Sequence, residues 1–190
     1  MLTAMVRDAE STRRRLLAAA AQEFAARGIS GARVDRIAEV AGANKAMIYN
    51  YFGSKDQLFD AVFHENVVSA VNDVPIDPDD LPGYAGRLFD YHQTHPEGLR
   101  LAIWHMLERG AEAVPETVRK ANADKAGVIA AAQQDGRLPA HFAPDELLAL
   151  VVGLSIVGVA DFNPDELALR RRRKTITDAV AMLIEKGSTR

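Results

Sequence analysis

From Ile37 to Leu58 the chain reads IAEVAGANKAMIYNYFGSKDQL, and this stretch admits few folds. Ile37, Ala38 and Ala41 recur at helical spacing, and Gly42 then supplies a residue at home in a left-handed turn. Asn44 is a good N-cap, because its amide oxygen can accept from the free N–H groups that open a helix. That helix runs from Lys45 to Phe52, Gly53 ends it, and Ser54 caps the next. Ile48 and Phe52 lie four apart and share a packing face, which leaves Lys45, Ala46, Tyr49 and Asn50 on the outer side. The result is two short helices joined by a tight turn, the second with polar groups on its free face.

Helical periodicity continues through the rest of the chain, and no segment reads convincingly as a strand. A first helix is expected from Ser11 or Thr12 to about Arg27, stopped by Gly28, with Leu17, Ala20, Ala21 and Phe24 as its apolar stripe. Val34 to Ala41 forms the second and Lys45 to Phe52 the third. A fourth runs from Ser54 through Leu58, Phe59 and Val62 toward Val71. Residues 73–82, DVPIDPDDLP, are rich in proline and aspartate and mark a loop at a domain junction. Further helices are expected over Leu81–Thr94, Pro96–Arg109, Pro115–Asp135 and Pro144–Ala160. A last one is opened by Asn163-Pro164 and ended by Lys186-Gly187. The expected fold is all-α with about nine helices. An N-terminal three-helix helix-turn-helix domain covers 1–55, a helix over 54–71 connects, and a C-terminal helical domain covers 72–190.

A chain of 190 residues, 48% of them hydrophobic, is long enough and apolar enough for a folded core. It has no cysteine, so disulfides and thiolate metal sites are excluded. The opening MLTAMVRDAESTRRR lacks the apolar run of a signal peptide, and a cytoplasmic protein is expected. The longest apolar stretch, Leu147 to Ala160, is broken by Gly153, Ser155 and Gly158 and falls short of the ~20 residues a membrane span needs. No membrane partner is expected. Net charge is −3 overall, but residues 1–60 hold 9 Lys and Arg against 7 Asp and Glu, and the remainder 14 against 19. A slightly basic head on an acidic body suits nucleic acid at one end only.

The helix-turn-helix geometry is what lays a helix into the major groove of DNA. Asn50 can hydrogen-bond a base edge there, with adenine as its best match. Lys55 sits at the start of the fourth helix, where free backbone N–H groups and its ammonium could meet one phosphate. Thr12 with Arg13, Arg14 and Arg15, and Arg33 at the start of the second helix, are further candidates for the phosphate backbone. An exposed Tyr or Arg on a helix is also compatible with a plain solvated face.

Phe24 and Gly28, then Val34, Ile37, Ala38, Ala41-Gly42, Ile48-Tyr49, Tyr51-Phe52, Ser54-Lys55 and Leu58, taken in that order, resemble the N-terminal domain of the TetR family of bacterial transcriptional regulators. The resemblance covers about Thr12 to Phe63. It implies a DNA-binding surface of Arg33, Asn44, Lys45, Ala46, Tyr49, Asn50, Tyr51 and Lys55, the two tyrosine hydroxyls facing phosphates. Where the family often has Val-Ser/Thr-x-Gly, this chain has Ala43-Asn44-Lys45-Ala46. Asn44 caps as well as Ser, but Lys45 and Ala46 would alter the bases read, so no operator sequence carries over.

The resemblance further implies a C-terminal domain for ligand binding and dimerisation. Tyr91 to Glu108 looks like a subgroup of these regulators without naming a ligand. The apolar LLALVVGLSIVGVA (147–160) would be costly to expose, and its small residues allow close helix approach. With the last helix it offers Leu150, Leu154, Val157, Ile176, Val180 and Leu183 to an isologous four-helix interface. The alternative is a central core helix of the monomer. Phe89, His92, Trp104, His105, Met106 and Phe142 mix aromatic surface with polar tips and are the candidates for a pocket, although a tryptophan set among apolar neighbours, as Trp104 is, is more often core than ligand wall. His92, His95 and His105 lack a framing carboxylate motif, so neither a metal nor another cofactor is expected. Arg170 to Lys174 reads as a solvated face.

The expected function is a regulator, most simply a ligand-responsive repressor. A homodimer would bind a double-stranded pseudo-palindromic operator and respond to a small-molecule effector. An enzymatic body finds no support, since no phosphate loop, nucleophile elbow or metal motif is present. A body that binds a protein partner, or no small ligand, remains the alternative.

Overall fold

A computed structural model describes residues 2–110, 114–157 and 165–185. All regular elements among them are helices, in the order α1 (Leu2–Gly31), α2 (Val34–Val40), α3 (Lys45–Phe52), α4 (Lys55–Asp73), α5 (Leu81–Thr94), α6 (Pro96–Arg109), α7 (Glu116–Gln134), α8 (Pro144–Ser155) and α9 (Glu166–Leu183). The all-α expectation holds.

Local chemistry explains most of the boundaries. α1 starts well ahead of Ser11, but its regular course breaks at Gly28, where φ is 73° and ψ −179°. Only glycine occupies that region without strain. Asn44 caps α3 by accepting from the Met47 N–H at 3.0 Å, and Gly53 closes it with φ at 80°. Ser54 Oγ accepts from the Gln57 N–H at 3.1 Å, so the α4 cap is also as expected. α5 is capped by Asp80, which accepts from the Gly83 N–H at 2.8 Å. α8 ends at Ser155, short of the expected Ala160. Residues 158–160, Asn163-Pro164 and Lys186-Gly187 lie outside the described residues. α9 opens instead at Asp165, which accepts from the Ala168 N–H at 2.7 Å.

The chain divides into two compact units. The first holds residues 1–69 and 97–114, so α6 belongs with α1–α4; the second holds 70–96 and 115–190. In the first, Leu16, Phe24, Ile37, Ile48, Leu58, Phe59 and Leu101 are fully buried. Phe24 meets Phe59 edge to face at 5.2 Å. From α6, His105 is buried and stacks on Phe63 at 5.3 Å and on Phe59 at 6.1 Å.

His105 gives the first unit a pH dependence. Desolvation and the nearby Arg109 hold its pKa below the ordinary 6.5, with Asp60 opposing. The unfolded chain therefore binds this proton more readily, and stability is complete above about pH 6.5 and lost as pH falls toward the lower folded value. Urea midpoints measured between pH 7.5 and 5 should fall for the wild type and fall less for His105→Gln. Parallel slopes would remove His105 as the cause.

The core of the second unit gathers Leu81, Tyr84, Leu88 and Phe89 from α5, Ile129 and Ala132 from α7, Leu147, Leu148 and Val151 from α8, and Ile176 and Val180 from α9. α9 crosses α5 at Gly86, where an added Cβ would come 3.0 Å from the Arg173 guanidinium carbon. Arg173 Nε donates to both carboxylate oxygens of Asp90, at 2.8 and 3.0 Å. Arg170 and Lys174 pair with Glu166 and Asp178 on their own helix. The basic run is therefore largely a face of ion pairs.

Candidate nucleic-acid interface

α3 is held from below by Ile48 and Phe52, both buried, and from its start by the Asn44 cap. Lys45, Ala46, Tyr49 and Asn50 all point to solvent, as their spacing requires. Tyr49 is 43% exposed. Lys45 Nζ lies 3.0 Å from Asp35 on α2, and that hydrogen bond and charge raise its pKa above 10.5. The pair is exposed and contributes little to stability, but it steers the ammonium to one side of α3.

Other expected contact residues have partners inside the protein. Tyr51 is 37% exposed, and its hydroxyl donates to the Ala9 carbonyl at 3.3 Å. Lys55 turns its ammonium to the carbonyls of Ser30 and Ala32, at 3.2 and 3.4 Å, and so ties the start of α4 to the end of α1. Asn44 uses its amide oxygen on the cap. Arg33 is exposed, with its backbone N–H donating to Glu23 at 2.9 Å. Thr12 is buried and accepts from Arg15 at 3.2 Å. Arg13 lies 3.4 Å from Glu65 and above the Phe52 ring, whereas Arg14 is exposed.

Two carboxylates that sequence reasoning did not single out brace this surface. Glu23 on α1 accepts from the Arg33 N–H and from Arg36 Nε at 3.0 Å, with Arg27 3.5 Å away. Burial pushes its pKa up, but the hydrogen bonds from Arg33 and Arg36 outweigh it and leave the pKa below the usual value. Glu108 on α6 accepts from the N–H groups of Ile29 and Ser30, at 2.7 and 2.8 Å, just after the break at Gly28. Trp104 lies beside the same glycine and donates from Nε1 to the Ala25 carbonyl at 3.2 Å. Arg109 pairs with Asp60 and with Asp56 and covers the Phe59 ring at 4.9 Å. Together these contacts occupy backbone donors and acceptors around the end of α1 and brace the entry into α2 and α4. The partners are up to 79 positions apart in the chain, and no local pattern announces them.

The expected pocket residues fall in both units. Phe89 is 1% exposed in the second core, Phe142 packs partly buried against it, and His92 is half-buried nearby on α5. Trp104, His105 and the exposed Met106 belong to the first unit. Of the expected dimer residues, Ile176 and Val180 are 3% and 0% exposed in the core of their own chain. Their assignment to an interface is corrected: that face of α9 is already covered. Leu150 and Val157 are 39% and 53% exposed, and Leu154 and Leu183 are half-buried. Leu154, Val157, Ala168 and Ala179 help to line an open groove of about 350 Å³ along α8 and α9. Among the described residues no three His, Asp or Glu converge in a group able to hold a metal ion. None of the described helices is long and apolar enough to cross a membrane.

Comparison with known proteins agrees with this geometry. A family model for bacterial regulatory proteins of the tetR family matches residues 16–62. A model described as tetracyclin repressor-like, C-terminal domain, matches residues 80–182. The chain is 40% identical over 188 residues to the HTH-type transcriptional repressor SCO4008 of Streptomyces coelicolor, covering 90% of this chain and 98% of that protein. It is 29% identical over 147 residues to the HTH-type transcriptional repressor NicS of Pseudomonas putida, covering 73% and 69%. Among solved structures, the transcriptional regulator SCO4942 of Streptomyces coelicolor superposes with a TM-score of 0.80 at 34% identity, covering 92% of this chain and 98% of that one. With its helix-turn-helix and its C-terminal helices both matched, the chain belongs to the TetR family of bacterial transcriptional regulators, which bind DNA.

Proposed function

We propose that this regulator is a repressor that acts as a homodimer on a pseudo-palindromic operator and releases it when a small molecule binds the second unit. The observation that carries the reading is the outer face of α3. Lys45, Ala46, Tyr49 and Asn50 are exposed together on a helix whose position is fixed by the Asn44 cap, Ile48 and Phe52. Two copies related by a two-fold axis would set their α3 helices in successive major grooves, roughly 34–36 Å apart. Leu150 and Val157, with Leu154 and Leu183, are the apolar residues left to join the two bodies. An effector can release the operator only by binding more tightly to the dimer shape that fits DNA poorly, and DNA must then weaken effector binding by the same factor.

In this arrangement Asn50 reads a base edge, Tyr49 and Arg33 contact phosphates, and Lys55 acts chiefly by holding α4 to the end of α1. The test is fluorescence anisotropy against DNA flanking the protein's own gene, at several salt concentrations, with scrambled DNA as control. Tight, salt-dependent binding with a strong preference over the control is expected. Asn50→Ala should lose about 1–3 kcal/mol and relax preference at one base position, whereas Tyr49→Phe should weaken binding to all sequences alike. An unchanged sequence preference in Asn50→Ala would remove Asn50 as the reading residue.

A further inference from the structure

The second unit contains polar groups that its own packing leaves unmatched. Tyr84 is fully buried in the core of this unit, and its hydroxyl finds no hydrogen-bond partner among the described residues. Facing its ring from α7 is Lys125, with Nζ 5.8 Å from the ring centroid. Lys125 is half-buried, and among the described residues no carboxylate pairs with it. Arg87, one turn along α5 from Tyr84, is different: it is already paired with Asp80 at 3.1 Å. His92 lies two turns beyond Tyr84 on α5 and is half-buried.

Burial alone would not select this set. A lysine withdrawn from water loses solvation that only an anion or several acceptors restore, and a buried hydroxyl without a partner is costly to keep. Desolvation lowers the pKa of Lys125, and desolvation followed by the charge of Lys125 lowers that of His92. Desolvation also raises the Tyr84 phenol to about 12, so it remains a donor at any physiological pH. An ammonium therefore faces the ring of a buried phenol donor at the edge of an apolar core, with an imidazole two turns further along the phenol's helix. A carboxylate matches all three: it pairs with the ammonium and accepts from the phenol, and its second oxygen remains for the imidazole N–H.

We infer that Tyr84, His92 and Lys125 form the head-group subsite of the effector pocket, and that the effector carries a carboxylate. This deepens the reading of the second unit as effector-binding and rests on it. Lys125 neutralises the ligand, and Tyr84 and His92 orient it.

The test is calorimetric titration of the full-length protein with benzoate and octanoate and with their neutral counterparts benzamide and octanamide. At least one carboxylate should bind, with its amide weaker by about thirtyfold or more, as expected for losing a charge-assisted contact. Lys125→Met should reduce carboxylate affinity by a similar factor, while Lys125→Arg should retain most of it. Tyr84→Phe should reduce affinity about tenfold with a Tm at or above that of the wild type, because the free protein loses only an unmatched hydroxyl. That combination separates a ligand contact from a structural role, which would lower the Tm. Equal affinity for acid and amide, carboxylate binding that survives Lys125→Met, or binding by neither acid would each overturn the inference. The same compounds are added to the operator complex. A neutral compound that releases DNA from wild type and Lys125→Met alike would overturn the carboxylate subsite and leave the effector response standing. Carboxylates that bind at Lys125 without releasing DNA would do the reverse.

Discussion

Gly28→Ala is expected to lower the stability of the first unit by about 3 kcal/mol or more and to abolish specific DNA binding at ordinary protein concentrations. The backbone at Gly28 has φ 73° and ψ −179°, a region that costs other residues about 1–3 kcal/mol. Space is the second term. A Cβ there would come 2.3 Å from a Glu108 carboxylate oxygen and 2.8 Å from the Trp104 ring. Making room means moving the carboxylate that accepts from Ile29 and Ser30, whose N–H groups the break at Gly28 leaves without helical partners. Trp104 is the single tryptophan of the chain and lies in the first unit, so its fluorescence reports unfolding there and nowhere else. Urea titration followed at that signal should show an earlier midpoint for Gly28→Ala. A midpoint equal to that of the wild type would mean that the turn tolerates a side chain and that α6 yields without cost.

Phe59→Ala is expected to cost about 3–5 kcal/mol, the range for removing a buried aromatic side chain. Phe59 is fully buried and is the meeting point of the first core. Phe24 packs on its edge, Phe63 and His105 stack beside it, and the Arg109 guanidinium covers its ring. Against a total of about 5–15 kcal/mol for a typical domain, such a loss brings the unit close to unfolding at physiological temperature. Circular dichroism melts of Phe59→Ala and Asn50→Ala should separate the two kinds of residue. The first should lose Tm and DNA binding together; the second should lose base preference with its Tm unchanged, because Asn50 is exposed. A Phe59→Ala protein that melts with the wild type would show that the cavity collapses without penalty.

The helices were legible because their signals are local. Gly42, Asn44 and Gly53 bracket α3 to the residue, since a cap or a left-handed turn depends only on nearby backbone. The outer face of α3 was legible for the same reason: four positions must face away when Ile48 and Phe52 face in. Side-chain destinations at long range were not. Glu108 and Glu23 look like ordinary surface acids until the chain brings Ile29, Ser30 and Arg33 to them. Lys55 and Tyr51 carry the chemistry of phosphate contacts, yet backbone carbonyls lie within their reach. For α9, an apolar stripe shows that Ile176 and Val180 will be covered but not whether the cover comes from the same chain. The grouping of α6 with the first unit also has no sequence mark, because its apolar face would suit either core.

Because α6 returns to complete the first unit after α5 has left it, the order of synthesis matters. When the first 69 residues have emerged from the ribosome, the aromatic layer around Phe59 still lacks His105 and Leu101, and the turn after α1 still lacks the acceptor of Glu108. Those contacts arrive only with about forty further residues, including all of α5, which belongs elsewhere. Grafting residues 1–69 onto another body would therefore transfer the reading surface without the helix that closes it.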